Sequence, residues 1–123
     1  MEIEEINEIA DAWIAAQNFE GGASKSPDWW AVDKEMEWDF DDPETLWTFI
    51  QIVNSRENTP KVVAILAAGP VENLIAYHGE EYIDRIVEFA RKDPKFNYVL
   101  GGVWKSGTKE VWEKILEIRN HVW

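Results

Sequence analysis

Each of the five prolines in this chain follows a residue that can cap the start of a helix. The pairs are Ser26-Pro27, Asp42-Pro43, Thr59-Pro60, Gly69-Pro70 and Asp93-Pro94. Proline at the first helical position gives up only an amide that would have no partner there, and the preceding side-chain oxygen or glycine completes the cap. The prolines therefore predict helix starts rather than breaks, which restricts the chain to a series of short helices.

Apolar residues recur at helical spacing through residues 64–104, and every interruption there is a glycine or a proline. No segment shows a sustained alternation with a period of two, as a half-buried strand would. The predicted helices are 2–19, 27–38, 43–56, 60–67, 70–78, 80–92, 94–100 and 108–120. We expect an all-α protein with a single helical domain over residues 1–123, built as a compact array of about eight short helices or as a HEAT-like stack.

Several short motifs in the same region resemble a known family. They are Ala67–Ile75, His78-Gly79, Tyr82–Asp84, Asp93–Phe96 and Leu100–Trp104, and the likeness extends over roughly residues 30–119. The pattern is similar to that of small bacterial proteins classed only as a domain of unknown function. This resemblance implies an all-helical, cytoplasmic protein of bacterial or phage origin and supplies no substrate. The family pattern implies an acid where this chain has Asn73, which argues against a catalytic carboxylate at that position.

Composition narrows the class of protein further. With 123 residues, 46% of them hydrophobic, and eight tryptophans, the chain can bury a core of its own. The absence of cysteine excludes a disulfide framework and a thiolate nucleophile. The longest apolar run, Val62–Ala68, is far shorter than the roughly 20 residues that a membrane-spanning helix needs. We therefore expect a soluble cytoplasmic protein without a cofactor.

The charge is distributed unevenly. Through Pro60, acids outnumber bases by 15 to 3, whereas the remaining residues carry nine of each. The whole formal net charge of −12 therefore lies in the N-terminal half, and eight of its acids fall between Asp28 and Glu44. Such a field repels nucleic acid and anionic lipid, and it accelerates encounter with a basic partner.

This acidic segment also contains aromatic residues, which are enriched where proteins bind one another most strongly. We expect it to form a docking surface in which the carboxylates attract the partner and the aromatic side chains anchor it. The predicted partner-binding residues are Trp29, Trp30, Glu35, Glu37, Trp38, Asp39, Asp41 and Asp42.

Two other interpretations of the segment remain open. The acids could be a solvated face that only keeps the protein soluble, and Trp29, Met36 and Phe40 fall near one helical face that could belong to the core. A calcium loop at residues 39–44 would lack the glycine and the distal glutamate of an EF-hand, so no metal site is expected.

His78 is the main candidate for catalysis. Glu81 follows it closely and could orient it as a base, and Tyr77 and Trp104 could complete a small-ligand site. However, His78 lies on the apolar stripe of its helix, directly before Gly79, which favours a structural imidazole.

Two functions from different classes follow. The first is a small acidic protein that binds and inhibits or neutralises a basic protein partner, as an immunity protein does with its toxin or a phage-encoded DNA mimic does with a nucleic-acid-handling enzyme. The second is an enzyme or ligand-binding module centred on His78. The first function involves no direct contact with nucleic acid or with a membrane.

Overall fold

The computed structural model describes all residues, 1–123. It contains seven α-helical segments and no strands. They are α1 (Ile3–Gln17), α2 (Trp29–Asp41), α3 (Pro43–Ser55), α4 (Pro60–Leu66), α5 (Glu72–Lys92), α6 (Pro94–Leu100) and α7 (Lys109–Ile118), with a 3-10 turn at Ala23–Lys25. The all-α prediction is confirmed, and the predicted bounds of α6 are those observed.

Three of the Xaa-Pro pairs start helices as predicted. Asp42, Thr59 and Asp93 accept the capping bonds of α3, α4 and α6 from backbone amides three residues ahead, at 3.1, 3.3 and 3.0 Å. These bonds satisfy amides that the first helical turn leaves without a partner. The short connections between helices follow from these caps.

Gly69-Pro70 does not start a helix, contrary to the prediction. α4 and α5 are joined by a π-helical turn, Ala67–Val71, in which the amide of Glu72 donates to the carbonyl of Ala67 five residues earlier. The wider π turn accommodates Pro70, which has no amide hydrogen for an α-helical bond. His78 only kinks α5, with φ −135° and ψ 15°, where the prediction ended one helix and began another.

The chain therefore forms six separate helices rather than about eight. α4, the π turn and α5 make one helix of 33 residues, Pro60–Lys92, whereas α6 has seven residues. Helices of such unequal length do not pair into similar repeats, so the HEAT-like arrangement finds no support in them.

The long helix Pro60–Lys92 is long and apolar enough to cross a membrane by length and composition alone. The sequence predicts separate helices at 60–67, 70–78 and 80–92 here, and its longest apolar run, Val62–Ala68, is too short to span a membrane. Within the fold, 44% of its most apolar window is buried.

The core consists of one cluster of 30 buried hydrophobic residues from Ile6 to Ile115. Around Phe49, the rings of Trp13 and Trp38 pack edge-on with centroids 5.5 and 5.6 Å away. α1 packs on α2 and α3, and α5 contacts α2 on one side and α7 on another. The side of α2 that faces the interior carries two buried carboxyl groups, Glu35 and Asp39.

The Gly101-Gly102 pair lies under the last residue of the chain. The Trp123 indole donates to the carbonyl of Tyr98 at 2.8 Å, and a Cβ at Gly102 would come within 2.6 Å of its ring. Their lack of a side chain allows Trp123 to lie against the chain at this point.

Candidate functional site

The helix α2 has a partly polar inner face and an exposed outer face. Its buried residues are Ala31, Val32, Glu35, Trp38 and Asp39. The outer face carries Trp30, Met36 and Phe40, whose exposed fractions are 51, 47 and 61%. Glu37 and Asp41 are exposed beside them.

This arrangement corrects the predicted docking surface in part. Glu35, Trp38 and Asp39 are 4, 4 and 5% exposed, so they cannot present charge or an anchor to a partner. Trp29 is half-buried against the core, and Asp42 accepts the capping bonds of α3. The structure therefore leaves Trp30, Glu37 and Asp41 of the predicted set on the surface.

The interpretation of Met36 and Phe40 as core residues is wrong. The ring of Phe40 packs on that of Tyr77 from α5, with centroids 4.3 Å apart, and Tyr77 is itself 52% exposed. Met36 lies one helical turn before Phe40 on the same face of α2. We call Met36, Phe40 and Tyr77 the aromatic patch. Sequence reasoning missed it because residues 40 and 77 are brought together only by the fold.

The inner face of α2 carries a buried pair of carboxyl groups, Glu35 and Asp39. Burial, and then the hydrogen bond to Asp39 and the repulsion by its charge, raise the pKa of Glu35 to about 9. Glu35 is therefore protonated at neutral pH and donates its acid hydrogen to Asp39. Glu35 Oε2 and Asp39 Oδ1 are both buried, and no N–H or O–H group of another residue donates to them.

Two side chains of α5 form hydrogen bonds with Asp39. Asn73 Nδ2 donates to Asp39 Oδ2 at 2.8 Å, and His78 Nε2 lies 2.9 Å from the Asp39 carbonyl oxygen. In a continuing helix that carbonyl would accept from the amide of residue 43, but Pro43 has no amide hydrogen. His78 replaces the missing donor, so its Nε2 carries the hydrogen. An acid in place of Asn73 would face Asp39 without a hydrogen to donate.

Glu44, at the start of α3, also binds α5. Its carboxylate accepts from the Tyr82 hydroxyl at 2.7 Å and from Arg85 Nη1 at 2.7 and 2.9 Å. The hydrogen bonds from Tyr82 and Arg85 lower the pKa of Glu44, and burial with the bond to Glu44 raises the pKa of Tyr82 to about 12. This acid therefore holds α3 against α5.

The structure brings together only some of the residues proposed for an enzyme or ligand site. Tyr77, His78 and Glu81 line a shallow pocket of about 230 Å³ that Gly107 also borders. Trp104 does not line it and is 79% exposed. No three His, Cys, Asp or Glu side chains in the chain are arranged to hold a metal ion.

These features define an all-helical protein with an acidic and aromatic surface on α2 and α5 and a protonated acid pair beneath it. Residues 19–122 match a family of unknown function (DUF6869), and the chain belongs to that family. No curated protein and no solved structure matches the chain.

Proposed function

We propose that this protein binds a basic protein partner through the outer face of α2 and the aromatic patch, and that it thereby inhibits or neutralises that partner. The observation that carries the proposal is the Phe40–Tyr77 pair, in which two rings stay more than half exposed among acids. Large apolar side chains that remain exposed together on a surface commonly mark an interaction site.

The charge on this face supports a basic partner. Asp33, Glu37 and Asp41 are exposed along α2, and the only base on the helix, Lys34, lies 3.6 Å from Glu37. An exposed ion pair of this kind contributes little stability and leaves the face acidic. Exposed acids around apolar anchors give fast, steered association with a positively charged surface.

The anchors differ from those first expected. Trp38 packs on Phe49 in the core, so Trp30, Phe40 and Tyr77 take its place as candidate anchors. Binding energy at protein interfaces is concentrated in a few such aromatic residues, with a polar rim around them. Here Glu37 and Asp41 supply the rim.

Two kinds of partner fit this chemistry. One is a toxin, which would make this an immunity-type protein, and the other is a nucleic-acid-handling enzyme, which would make it a phage-encoded inhibitor or DNA mimic. Both settings are bacterial and cytoplasmic, and in both the protein contacts neither nucleic acid nor membrane directly. A gene for a toxin beside this one would favour the first kind.

Affinity capture from host extract with matched variants tests the proposal. Phe40→Ala should weaken capture of the specific partner by about 2 kcal/mol, because it removes an exposed anchor without disturbing the core. Leu116→Ala is the control, since Leu116 is an exposed apolar residue on α7. Loss of the same partner with both variants, or with neither, would contradict the proposal.

The pocket beside His78 supports a second candidate, an enzyme or ligand-binding module. Because Nε2 donates to the Asp39 carbonyl, only Nδ1 of His78 could act as a base in that pocket. A ligand there should be lost on Glu81→Gln, an exposed substitution that leaves the bond from His78 to Asp39 intact.

A further inference from the structure

A second pocket lies where the turn after α6 meets the end of the chain. Its volume is about 460 Å³, within the range of small-molecule sites. Trp104, Trp112 and Trp123 line it, and Lys105 and Arg119 supply its charged groups. None of its lining residues belongs to α2 or to the aromatic patch, so this pocket is independent of the proposed docking surface.

Two of the three tryptophans in the pocket are held in place by the fold. The Trp123 indole donates to the Tyr98 carbonyl, and the Trp123 amide donates to the carbonyl of Gly101 at 3.1 Å. Trp112 is buried, with 8% of its surface exposed. Trp104 differs from both, because it is 79% exposed, more than any other large hydrophobic residue of the chain. A flat apolar ligand can therefore cover Trp104 beside walls that are already formed.

Arg119 is the one arginine of the chain that forms no ion pair with a carboxylate. Arg56, Arg85 and Arg91 lie 2.9, 2.7 and 3.0 Å from an aspartate or glutamate oxygen. The Arg119 guanidinium lies instead over the ring of Trp112, 5.0 Å from its centroid. The chain has 24 acids for 12 bases, so this unpaired guanidinium does not follow from a shortage of carboxylates.

The hydrogen-bond donors of Arg119 are only partly used. Its Nη1 lies 3.5 and 3.3 Å from the carbonyl oxygens of Leu100 and Val103, which are long distances for N–H···O bonds. Its Nε and Nη2 form no hydrogen bond within the chain. These contacts hold the guanidinium at the pocket and leave most of its N–H groups free for a ligand.

The charge of the pocket is opposite in sign to that of the whole protein. Lys105 is exposed and takes part in none of the ion pairs. One acid bonds to a lining residue: Glu72 Oε1 accepts from the Trp104 amide at 3.1 Å. Two bases against this one carboxylate leave the pocket positively charged, although the formal net charge of the chain is −12. The pocket therefore favours an anionic ligand.

We propose that this pocket binds a small planar aromatic carboxylate, whose ring lies against Trp104 and Trp123 and whose carboxylate pairs with Arg119. Guanidinium and carboxylate groups match in shape and form strong, charge-assisted hydrogen bonds. Aromatic rings add a favourable contact with one another beyond the apolar area that they bury. Naphthoates and indole carboxylates belong to this class of ligand.

NMR titration of the labelled protein with 2-naphthoate and with 2-naphthamide tests the proposal. The two molecules have nearly the same shape, but only the naphthoate carries a charge. Naphthoate should shift the indole N–H signals of Trp104 and Trp123 and saturate them. Naphthamide should bind about tenfold more weakly, because it cannot form a charge-assisted pair with Arg119. This comparison uses wild-type protein, so it does not depend on the folding of any variant.

Two matched variants isolate the role of Arg119. Arg119→Gln should lower the ratio of naphthoate to naphthamide affinity by about tenfold. Arg91→Gln removes the same charge from an exposed residue outside the pocket and should leave the ratio unchanged. Trp104→Ala, at an exposed side chain, should weaken both molecules by similar factors.

Four results would overturn the proposal. They are equal affinity of the two molecules for wild-type protein, an equal fall in their ratio with Arg119→Gln and Arg91→Gln, shifts that map away from the pocket, and the absence of saturation.

Discussion

Two helices, α2 and α7, pack on α5 by different means. α7 contributes Val111, Trp112 and Ile115, and Gly79 of α5 lets Val111 approach so closely that an added Cβ would lie 3.0 Å from it. α2 instead meets α5 through Asp39, whose bonds come from Asn73, His78 and a protonated acid on its own helix. The first contact is mainly apolar, with one exposed ion pair between Lys114 and Asp84 at 3.6 Å, whereas the second depends on buried hydrogen bonds of Asp39.

Because of this difference, we expect the stability of the two contacts to respond differently to pH. The buried part of the α7 contact has no group that titrates, whereas a buried acid pair gains or loses a proton as pH changes. The contact that carries the titratable pair is also the one whose outer side bears Phe40 and Tyr77. The helix α2 therefore carries both the buried acid pair and part of the candidate docking surface.

The largest expected effect tests the apolar contact. Ile115 is fully buried, so Ile115→Ala should lower the free energy of unfolding by about 2–5 kcal/mol. The difference from wild type should be the same at pH 5 and pH 8, because no titratable group is involved. Urea denaturation at both pH values measures it, and a strongly pH-dependent difference would contradict the description of this contact.

The next prediction concerns the acid pair. The folded pKa of Glu35, about 9, lies above its ordinary value of 4.5, so the native state keeps a proton that the unfolded chain releases. The stability that this proton contributes is complete below about pH 4.5 and is lost as pH rises toward 9. Glu35→Gln keeps a hydrogen for Asp39 and cannot ionise. It should therefore be more stable than wild type at pH 8 by about 1–3 kcal/mol, with a smaller difference at pH 5.

Glu37→Gln is the matched control for the acid pair, because Glu37 is exposed two residues away on the same helix. It should leave the pH dependence of unfolding unchanged. If Glu35→Gln and Glu37→Gln gave parallel stability curves, the buried pair would not be the source of the dependence.

A smaller effect is expected at His78. His78→Ala removes the donor to the Asp39 carbonyl and should cost about 1–3 kcal/mol, whereas His78→Gln can supply a replacement N–H and should recover part of that loss. His121→Ala, at an exposed residue, provides the baseline. Thermal unfolding of the three variants measures the order of their stabilities. Equal stability of His78→Ala and wild type would exclude a structural role for this imidazole.

The smallest effect is expected at the Gly101-Gly102 pair. Gly102→Ala should displace the Trp123 ring and break its bond to Tyr98, at a cost of about 1 kcal/mol. Gly69→Ala serves for comparison, since a Cβ at Gly69 meets nothing within 4 Å. Tryptophan fluorescence reports the displacement, and an unchanged emission in folded Gly102→Ala would contradict it.

Three of the five predicted helix starts are confirmed, because they depend on local chemistry, whereas α2 begins at Trp29, two residues after Pro27. Asp42, Thr59 and Asp93 cap helices through amides only three residues away. The prediction for Gly69-Pro70 is wrong because a proline inside a π turn and a proline at a helix start look alike in the sequence. Only the register of the hydrogen bonds around the turn distinguishes them.

The candidate site could be predicted only in part, as an acidic segment that includes the exposed residues Trp30, Glu37 and Asp41. Assigning the faces of α2 from hydrophobicity places Met36 and Phe40 inside, yet Glu35 and Asp39 occupy the interior. Their burial is compensated by Asn73 and His78, which lie far along the chain and act only in the folded state. The formal charge also counts Glu35 as ionised, although burial keeps it protonated at neutral pH.

The most direct test of the central claim compares charge reversal on α2 and on α7, using the captured partner. Asp33, Glu37 and Asp41 on one helix, and Glu110, Glu113 and Glu117 on the other, are all exposed, so changing each set to Lys alters net charge equally. We expect the α2 variant to associate about tenfold more slowly at low salt, with a flatter salt dependence, while the α7 variant stays close to wild type. Equal slowing by both sets would mean that only net charge matters, and an unchanged rate for the folded α2 variant would show that its acidic face does not meet the partner.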